Sequence, residues 1–361
     1  MSSSNKPTVI VVGAGGVGVI AAVSLYTHGT ADVSLVVRSD YDHVTEKGYH
    51  IDSCDYGLLQ NWKPHHLFRT VEDAAKSGTF FDYVVVTTKN IPDGPQHSRV
   101  ENIVRPLLLA NQAVDPSRTS NIMLIQNGID IEKPLLEEFP QEKFNYALLS
   151  GIEFLGSTKI GKGQISHIGS EKLFVGAFQQ EDQRAHKAAE AYVAMYHNEG
   201  KNHCEFDPRV RHSRWNKLLY NAAINTTTAL IGLDVPRALE FGAGAAEGHS
   251  STEFAIIKPA MREVIAIAAS EGIVLDPASI DFFCDISRNL MFTPSMCVDS
   301  QKGQLMELEV ILGNPIRVAK EHDVQTPILS MLYNLLILLQ GKLKEANGLV
   351  QFDEETCRVV R

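Results

Sequence analysis

The sequence predicts an α/β domain with a parallel sheet, followed by an all-α domain. From Thr8 to residue 207, short β-branched runs alternate with segments of helix length, which is the rhythm of βαβ units. Beyond that point, long helical periods replace the alternation up to Gln340. Because the chain has 361 residues, it is long enough to form two hydrophobic cores. We therefore expect one domain over residues 6–207 and a second over residues 208–361.

The first elements are a strand and a helix joined by glycines. The run TVIVVGAGGVGVIAAVSLYTHG, residues 8–29, starts with β-branched residues and continues as a small-residue helix that stops at Gly29. Asp207 and Pro208 suit the cap and first turn of a later helix, which marks the domain boundary. Between these points we predict strands within residues 32–39, 81–90 and 121–129, closing strands within residues 146–178, and a last helix within residues 181–200.

The charge and cysteine content limit the classes of partner. The 33 Lys and Arg residues against 43 Asp and Glu residues give a formal net charge of −10, and no block of like charge occurs. This balance argues against binding of nucleic acid or of an acidic membrane. The cysteines are scattered, odd in number and without a CxxC pair, so we expect free thiols. They are Cys54, Cys204, Cys284, Cys297 and Cys357.

The sequence predicts neither a targeting segment nor a metal site. The most apolar stretch, from Thr8 to Leu25, is interrupted by four glycines and lacks the flanks of a signal peptide, so a cytoplasmic protein is expected. His167 and the pair His65 and His66 have no partner at metal-ligand spacing, and we expect structural roles for them. The sequence leaves the oligomeric state open, with a homodimer as one candidate arrangement.

A glycine motif lies where the first strand meets the first helix. Gly13, Gly15 and Gly18 form G-x-G-x-x-G, and the strand, turn, helix and second strand fall where a dinucleotide-binding unit requires them. Such glycines let backbone amides approach a pyrophosphate at the helix N-terminus, where the helix dipole favours negative charge. We therefore predict a Rossmann-like dinucleotide-binding domain. Its predicted cofactor contacts in this turn are Gly13, Ala14, Gly15, Gly16, Val17 and Gly18.

The end of the second strand predicts which dinucleotide binds. A site specific for NAD usually has an acidic residue there, about 20 residues after the glycines, to hold the ribose hydroxyls. This chain has Arg38 at that point, and the nearest acid is taken to be Asp32, which precedes the strand and would lie at the wrong end of the sheet. A guanidinium can donate two parallel hydrogen bonds to a 2′-phosphate. NADP(H) is therefore the predicted cofactor.

Polar residues at two strand ends and on one helix predict the reacting half of the site. Lys89 ends one strand and Asn127 ends the next, so both are expected beside the nicotinamide. Lys217, Asn221 and Asn225 are spaced by four residues in an otherwise apolar helix, so they share one face. An ammonium on that face could stabilise charge on a ketone oxygen during hydride transfer and then supply a proton. A solvated helix edge and a buried structural network are the alternatives.

Together these motifs resemble the ketopantoate reductase (2-dehydropantoate 2-reductase) family over nearly the whole chain. The resemblance rests on the glycine motif, on Arg38, on the TTK turn with Lys89 and on the QNG run with Asn127. It also rests on the segments WNKLLYNAAIN and SMCVDSQKGQLMELEVILG. The second segment carries Ser295 and Glu307, which we expect in one later helix.

The resemblance implies a role for each matched residue. Lys217 matches the family's proton donor, and Glu307 matches the glutamate that assists it and helps to hold the substrate. The matched asparagines and serine are implied to contact the substrate or the nicotinamide ribose. The implied substrate contacts are Asn127, Asn221, Asn225, Ser295 and Glu307, and the implied cofactor contacts beyond the glycine turn are Arg38, Lys89 and Asn127.

The implied reaction is the NADPH-dependent reduction of ketopantoate to pantoate in the pantothenate and coenzyme A pathway, with a small-molecule 2-oxo acid as partner. Two departures from the family bear on this. The family usually has an asparagine near Val235, in the turn after the lysine helix, and a glutamine where this chain has Pro92 and Asp93. The alternatives are a reductase of another branched or opine-like 2-oxo acid and a non-catalytic NADP(H)-binding regulator.

Overall fold

A computed structural model describes residues 6–244, 247–289 and 291–360. The described chain divides into two compact units. Two loops whose neighbours in the chain belong to the first unit are grouped with the second, so the second unit is assembled from three segments. Unit 1 comprises the residues up to Lys89, His97–Gln126 and Ile131–Val210, and unit 2 comprises Asn90–Gln96, Asn127–Asp130 and the residues from Arg211 onward.

Unit 1 contains a sheet of 10 strands. In chain order they are β1 Thr8–Val12, β2 Asp32–Val36, β3 Tyr49–Ser53, β4 Gly57–Trp62, β5 His66–Phe68, β6 Tyr83–Val86, β7 Ser120–Leu124, β8 Tyr146–Gly161, β9 Gln164–Ala177 and β10 His203–Phe206. Their order across the sheet is β4-β3-β9-β8-β7-β6-β1-β2-β5, with β10 beside β9. β4 is antiparallel to β3 and β8 is antiparallel to β9, whereas the centre from β8 to β5 is parallel.

The register of the parallel centre aligns the ends of four strands. Val12 of β1 pairs with Val36 of β2 and with Val86 of β6, and Val86 pairs with Leu124 of β7. Parallel strands that end in register release the chain at one edge of the sheet, where ligands of α/β proteins bind. The glycine motif, Arg38 and Lys89 follow these strand ends along the chain.

The central strands β1, β2 and β6 form from β-branched runs that are buried on both faces, as a helix-covered parallel sheet requires. The first helix ends where the sequence predicts, because Gly29 takes a left-handed φ of 78° and its N–H caps the carbonyl of Leu25. The helices of unit 1 are α1 Gly16–His28, α2 Tyr41–Lys47, α3 Val71–Ala75, α4 Val100–Val114, α5 Lys133–Glu138 and α6 Gln183–Tyr196, and a 3₁₀ turn at Gln96–Ser98 precedes α4 in the chain.

The structure adds strands that the sequence analysis did not predict: β3, β4, β5 and β10. They are short, and the exposed residues of β4 and β5 mask any apolar pattern. The predicted closing segment becomes two long strands, because β8 and β9 pair with each other along almost their entire length. Pairing between distant parts of the chain therefore determines this side of the sheet.

Unit 2 is helical, and its described part includes three π-helical turns, in which the backbone bonds from residue i to i+5. A hairpin of two short strands ends the described chain. The helices are α7 Val210–Tyr220, α8 Thr226–Ile231, α9 Val235–Ala243, α10 Lys258–Ser270, α11 Ala278–Arg288, α12 Ser295–Gln301, α13 Asn314–Glu321 and α14 Pro327–Ala346, the π turns are Asn221–Asn225, Glu253–Ile257 and Glu309–Gly313, and the strands are β11 Phe352–Asp353 and β12 Arg358–Val359.

Helix α7 ties its neighbours together through buried polar contacts. Trp215 is 0% exposed, and its indole N–H donates to Glu271 Oε2 at 2.9 Å. Arg211 pairs with Glu271 at 2.6 Å and with Asp130 at 3.1 Å. About one turn further along α7, Arg214 Nη1 donates to the carbonyl oxygen of Gly128 at 2.9 Å. These bonds explain why the short loop Asn127–Asp130 is grouped with the helical unit.

The predicted fold class is confirmed: a Rossmann-like α/β domain with a parallel core comes first, and a helical part follows. The terminal hairpin is a small addition to that helical part. Across the described ranges, no helix combines the length and the apolar character needed to cross a membrane.

Candidate active site

The glycine turn of unit 1 has no room for side chains at two of its three motif positions. Gly13 has a left-handed φ of 120°, and a Cβ added there would lie 2.7 Å from Thr87 Oγ1. A Cβ at Gly18 would lie 1.9 Å from the carbonyl oxygen of Gly13. At Gly15, by contrast, a Cβ would meet no atom within 4 Å. The turn is thus packed against the protein on one side and open at Gly15, where a phosphate could approach the backbone.

Strand β8 passes over the same turn. A Cβ at Gly16 would lie 2.4 Å from the carbonyl oxygen of Ser157, and the Ser157 hydroxyl is buried without a hydrogen-bond partner among the described residues. No side chain caps α1 at Gly15, which leaves first-turn N–H groups for a ligand. Ala14 and Val17 are half-buried and pack against the hydrophobic core, so their backbone is the part that could bind a pyrophosphate. The turn therefore fits a dinucleotide pyrophosphate.

The turn after β2 contains an exposed cation, Arg38, and a buried acid, Asp40. Arg38 is exposed, and among the described residues its guanidinium makes no ion pair or hydrogen bond. Asp32, taken above as the nearest acid, lies at the other end of β2 beside His66, at 3.3 Å. The nearest acid is instead Asp40, which the sequence analysis overlooked; it is 4% exposed and turned into the protein. Asp40 is therefore the acid nearest to Arg38 in the chain, but its burial keeps its side chain away from the surface of the turn.

Lys89 and Asn127 leave the sheet at matching positions. Each lies three residues beyond the end of its strand, β6 or β7, and these strands are paired in register. Lys89 is exposed and closes a segment of unit 1, whereas Asn127 is half-buried and opens a segment of unit 2. The prediction that both contact the nicotinamide half of a cofactor stays a prediction.

The predicted polar face of Lys217, Asn221 and Asn225 spans the end of α7 and a π turn, and not one continuous α-helix. Lys217 is half-buried in the last turn of α7, and Asn221 and Asn225 are the first and last residues of the π turn that follows. Asn225 Nδ2 donates to Asn221 Oδ1 at 3.0 Å, so the two amides do share a face. Asn225 Oδ1 is buried and accepts no hydrogen bond within the described residues. A buried acceptor without a donor is costly, so Asn225 Oδ1 is a candidate acceptor for a ligand donor.

The three π turns of unit 2 meet. The turn Asn221–Asn225 packs against both Glu253–Ile257 and Glu309–Gly313. Each is a single turn with hydrogen bonds from residue i to i+5, and the sequence analysis predicts none of them. Since π turns occur often at functional sites, their meeting beside the asparagine pair supports a binding role for this face.

Ser295 and Glu307 do not share a helix, which corrects the sequence analysis. Ser295 is the exposed first residue of α12, and this helix ends before Gly303, whose left-handed φ of 69° stops it. Glu307 lies in a non-helical stretch two residues before the π turn Glu309–Gly313. Gly303 is therefore a helix terminator, and a Cβ added there would meet no atom within 4 Å.

Glu307 is a buried carboxylate whose contacts include donors from Asn90 and Asn127. It is 3% exposed, Oε1 accepts the backbone N–H of Asn90 at 3.1 Å, and Oε2 accepts Asn127 Nδ2 at 3.1 Å. The sequence analysis did not single out Asn90, and only the proximity of two distant loops reveals it. Asn90 and Asn127 are thus among the groups that position this carboxylate.

The two departures from the family carry structural contacts in this chain. Asp93 accepts Lys344 Nζ at 2.8 Å and Gln340 Nε2 at 3.2 Å, which anchors its loop to α14. Val235 is 1% exposed in the first turn of α9, and the preceding Asp234 caps that helix. Neither position offers the amide that the family usually has there.

Cys54, Asp55 and His167 place three ligand-type atoms within 4.8 Å of one another. His167 Nδ1 lies 2.8 Å from Ser53 Oγ, and Nε2 lies 3.0 Å from the carbonyl oxygen of Gly169. Hydrogen bonds therefore engage both ring nitrogens, and burial holds the pKa of His167 below its usual value. The arrangement fits a neutral structural histidine better than a metal ligand.

Comparison with known proteins identifies the family. The chain matches "Ketopantoate reductase PanE/ApbA" over residues 9–180 and "Ketopantoate reductase PanE/ApbA C terminal" over residues 209–340. An uncharacterized protein of Saccharomyces cerevisiae is 59% identical over 355 residues, which cover 98% of this chain and 99% of that protein.

Two solved structures extend the comparison. The crystal structure of 2-dehydropantoate 2-reductase from Methylococcus capsulatus is 28% identical with a TM-score of 0.72, and covers 93% of this chain and 97% of that one. D-mandelate dehydrogenase, solved with NADH and anilino(oxo)acetate, is 20% identical with a TM-score of 0.74, and covers 93% of this chain and 99% of that one. The second likeness is one of fold.

The dinucleotide-binding unit and the helical unit together define an NAD(P)-dependent oxidoreductase. The chain belongs to the ketopantoate reductase family.

Proposed function

We propose that this chain reduces ketopantoate to pantoate with NADPH, and so supplies the pantothenate and coenzyme A pathway. The observation that carries the proposal is Asn225 Oδ1, a buried acceptor without a donor on the helix run that also carries Lys217. A substrate hydroxyl that donates to this oxygen would remove the cost of leaving it unpaired. Ketopantoate carries a terminal hydroxyl, whereas simple branched 2-oxo acids do not.

The residues of unit 1 are proposed to hold the cofactor. The backbone N–H groups around Gly15 and Gly16 would bind the pyrophosphate, and Ser157 Oγ could donate to it. Arg38 would bind the 2′-phosphate through two parallel hydrogen bonds, with Lys89 as a further contact. When bound, NADPH supplies the hydride that the carbonyl carbon accepts.

Lys217 is the proposed proton donor. Its ammonium would lie beside the carbonyl oxygen of the substrate, where it stabilises the negative charge that develops and then transfers a proton from Nζ to that oxygen. The hydrogen-bonded amides of Asn221 and Asn225 offer fixed polar groups along the same face. Their preorganisation means that little rearrangement is needed as the charge forms.

Glu307 is proposed to hold the substrate and to assist Lys217. Asn90 and Asn127 donate to its carboxylate and so help to orient it. The carboxylate would accept a hydrogen bond from the substrate hydroxyl or from the lysine. The exposed Ser295 at the start of α12 would add a donor for the substrate carboxylate.

A second candidate is a reductase of another 2-oxo acid. Val235 is the observation that favours it, because an apolar side chain stands where the family usually offers an amide to the substrate hydroxyl. D-mandelate dehydrogenase, which has the same fold, was solved with an aromatic 2-oxo acid analogue and NADH. A substrate without the hydroxyl is thus compatible with this architecture.

The test is to follow the loss of NADPH absorbance with ketopantoate and with 2-oxoisovalerate, using the purified full chain. These acids form a matched pair, because 2-oxoisovalerate lacks the terminal hydroxyl. We expect ketopantoate to have the higher kcat/KM, because its hydroxyl can form a hydrogen bond in the site. The preference should be nearer to about 1 than to about 3 kcal/mol in transition-state free energy, because Val235 stands where the family's amide would help to hold that hydroxyl. A preference for 2-oxoisovalerate would favour the second candidate. NADPH binding without turnover of any 2-oxo acid would indicate a non-catalytic regulator.

A further inference from the structure

The turn after β2 contains an acid that is kept away from its surface. Asp40 lies two residues after Arg38, in the region where an NAD-binding protein places the carboxylate that accepts the ribose hydroxyls. It also stands at the N-cap of α2, yet its side chain accepts no capping hydrogen bond from that helix. The carboxylate is only 5% exposed. Something inside unit 1 therefore holds it.

Lys159 of β8 is the main partner of that acid. Its Nζ lies 2.7 Å from Asp40 Oδ2, which also accepts the backbone N–H of Gly163 at 2.9 Å, while Ser39 Oγ donates to Oδ1 at 3.0 Å. Burial alone would raise the pKa of Asp40, but the hydrogen bonds from Lys159, Gly163 and Ser39 outweigh it and leave the pKa below its usual value. Asp40 is thus a charged, paired carboxylate.

The ammonium of Lys159 remains near the surface of the turn. The lysine side chain is 33% exposed, and its Nζ lies 3.3 Å from Ser39 Oγ, next in the chain to Arg38. Two residues earlier on the same face of β8, Ser157 packs against Gly16 in the glycine turn. One face of β8 therefore runs from the proposed pyrophosphate position to the turn that carries Arg38.

We propose that Lys159 is a cofactor-specificity residue that favours a 2′-phosphorylated dinucleotide by neutralising Asp40 and holding its carboxylate inward. The inference rests on the proposed NADPH dependence. Without the lysine, Asp40 would carry an uncompensated negative charge beside Arg38, which repels a phosphate and can accept a ribose hydroxyl instead. With the lysine, the pair is neutral, and the guanidinium of Arg38 determines the charge that a 2′-phosphate meets.

This mechanism predicts that affinity for NADP+ follows the net charge of the pair, whereas affinity for NAD+ does not. The pair is neutral in the wild type, negative in Lys159→Met, positive in Asp40→Asn and neutral again in the double variant. We expect Lys159→Met to weaken NADP+ binding about tenfold, a loss of about 1.4 kcal/mol, with NAD+ changed by less than about twofold. Asp40→Asn should bind NADP+ at least as well as the wild type, and the double variant should recover most of the affinity that Lys159→Met loses.

The experiment is isothermal titration calorimetry of each full-length variant with NADP+ and with NAD+, at low ionic strength where charge effects are least screened. Lys162→Met is the matched control, because Lys162 is an exposed lysine of the β8–β9 turn without an ion-pair partner among the described residues. It should change NADP+ affinity much less than Lys159→Met does. If Lys159→Met does not fold, Asp40→Asn and the double variant still differ by one charge and must differ in NADP+ affinity.

Two results would overturn the role of Lys159 and leave the proposed function intact: equal losses for NADP+ and NAD+ in Lys159→Met, or a loss in Lys162→Met as large as that in Lys159→Met. An unchanged ratio of the two affinities across all variants would have the same meaning. If the wild type binds neither dinucleotide, the proposed function fails as well, so the two failures are distinguishable.

Discussion

Asn127 donates its side-chain amide to Oε2 of Glu307 at 3.1 Å, over a separation of 180 residues in the chain. The other carboxylate oxygen accepts the backbone N–H of Asn90. Both donors lie in short segments of unit 2, Asn90–Gln96 and Asn127–Asp130. In the chain, each of these segments is flanked by residues of unit 1. Asn127, which the sequence analysis predicts as a contact of both the cofactor and the substrate, therefore contacts the residue proposed to hold the substrate.

The first prediction tests this contact. Asn127→Ala removes a donor from Oε2 of a buried carboxylate, and the loss of such a hydrogen bond costs about 1–3 kcal/mol. We expect kcat/KM to fall by a corresponding amount, and Asn127→Asp to be worse because it places a like charge beside Glu307. Steady-state kinetics and thermal unfolding measure the two effects. Asn334→Ala, a change at an exposed asparagine of α14, is the control, and wild-type kinetics in Asn127→Ala would show that the contact does not position Glu307.

The second prediction concerns the proton donor. Lys217→Ala should lower kcat by about 10²–10³, the usual effect of removing a preorganised donor to a developing oxyanion. The unfolding temperature and the Kd for NADPH should stay close to those of the wild type. Lys320→Ala, at an exposed lysine of α13, controls for the loss of a positive charge. Near-normal turnover in Lys217→Ala would mean that the polar face has a structural role.

The third prediction concerns the choice of cofactor. Arg38→Ala should weaken the binding of NADPH by about 1.5–3 kcal/mol, which is the range for hydrogen bonds to charged groups. The reason is that the exposed guanidinium is the proposed partner of the 2′-phosphate. NADH, which lacks that phosphate, serves as the internal control and should bind the variant as it binds the wild type. Calorimetric titration of both cofactors gives the comparison. Equal affinity of the wild type for the two would contradict the assignment of Arg38.

The fourth prediction separates packing from binding in the glycine turn. Gly15→Ala introduces a Cβ into open space, so stability should change by less than about 1 kcal/mol while dinucleotide affinity falls, since the methyl group occupies the approach of a phosphate. Gly18→Ala brings a Cβ to 1.9 Å from the carbonyl oxygen of Gly13, so it should destabilise the protein by about 1–3 kcal/mol or more. Chemical denaturation and cofactor titration distinguish the two. Unaltered affinity in Gly15→Ala would place the pyrophosphate elsewhere.

The fifth prediction concerns substrate recognition by Glu307. In Glu307→Gln the new amide oxygen can accept from Asn90, and Asn127 can turn its own amide to accept from the new NH₂ group, so the fold should tolerate the change. The variant loses a charged acceptor, and kcat/KM should fall more for ketopantoate than for 2-oxoisovalerate. Parallel assays of the two acids measure this. An equal fall in kcat/KM for both acids would mean that Glu307 assists Lys217 and does not bind the substrate hydroxyl.

Local patterns in the sequence predict the fold class and the glycine turn. Both follow from local patterns: β-branched runs form buried parallel strands, and G-x-G-x-x-G leaves a turn in which Gly13 and Gly18 have no space for a Cβ. Helix ends signalled by glycine were equally accessible, since Gly29 stops α1 at the predicted residue. Such features depend on residues within one or two turns of each other.

The hydrogen-bond and ion-pair partners of the functional side chains could be identified only from the tertiary structure. The sequence placed Glu307 in a helix, whereas Gly303 ends that helix and two distant loops supply the donors to its carboxylate. The inward orientation of Asp40 likewise depends on Lys159, more than a hundred positions away in the chain. A buried charge takes whichever donor the packing brings within hydrogen-bond distance, and the spacing of residues along the chain does not encode that distance.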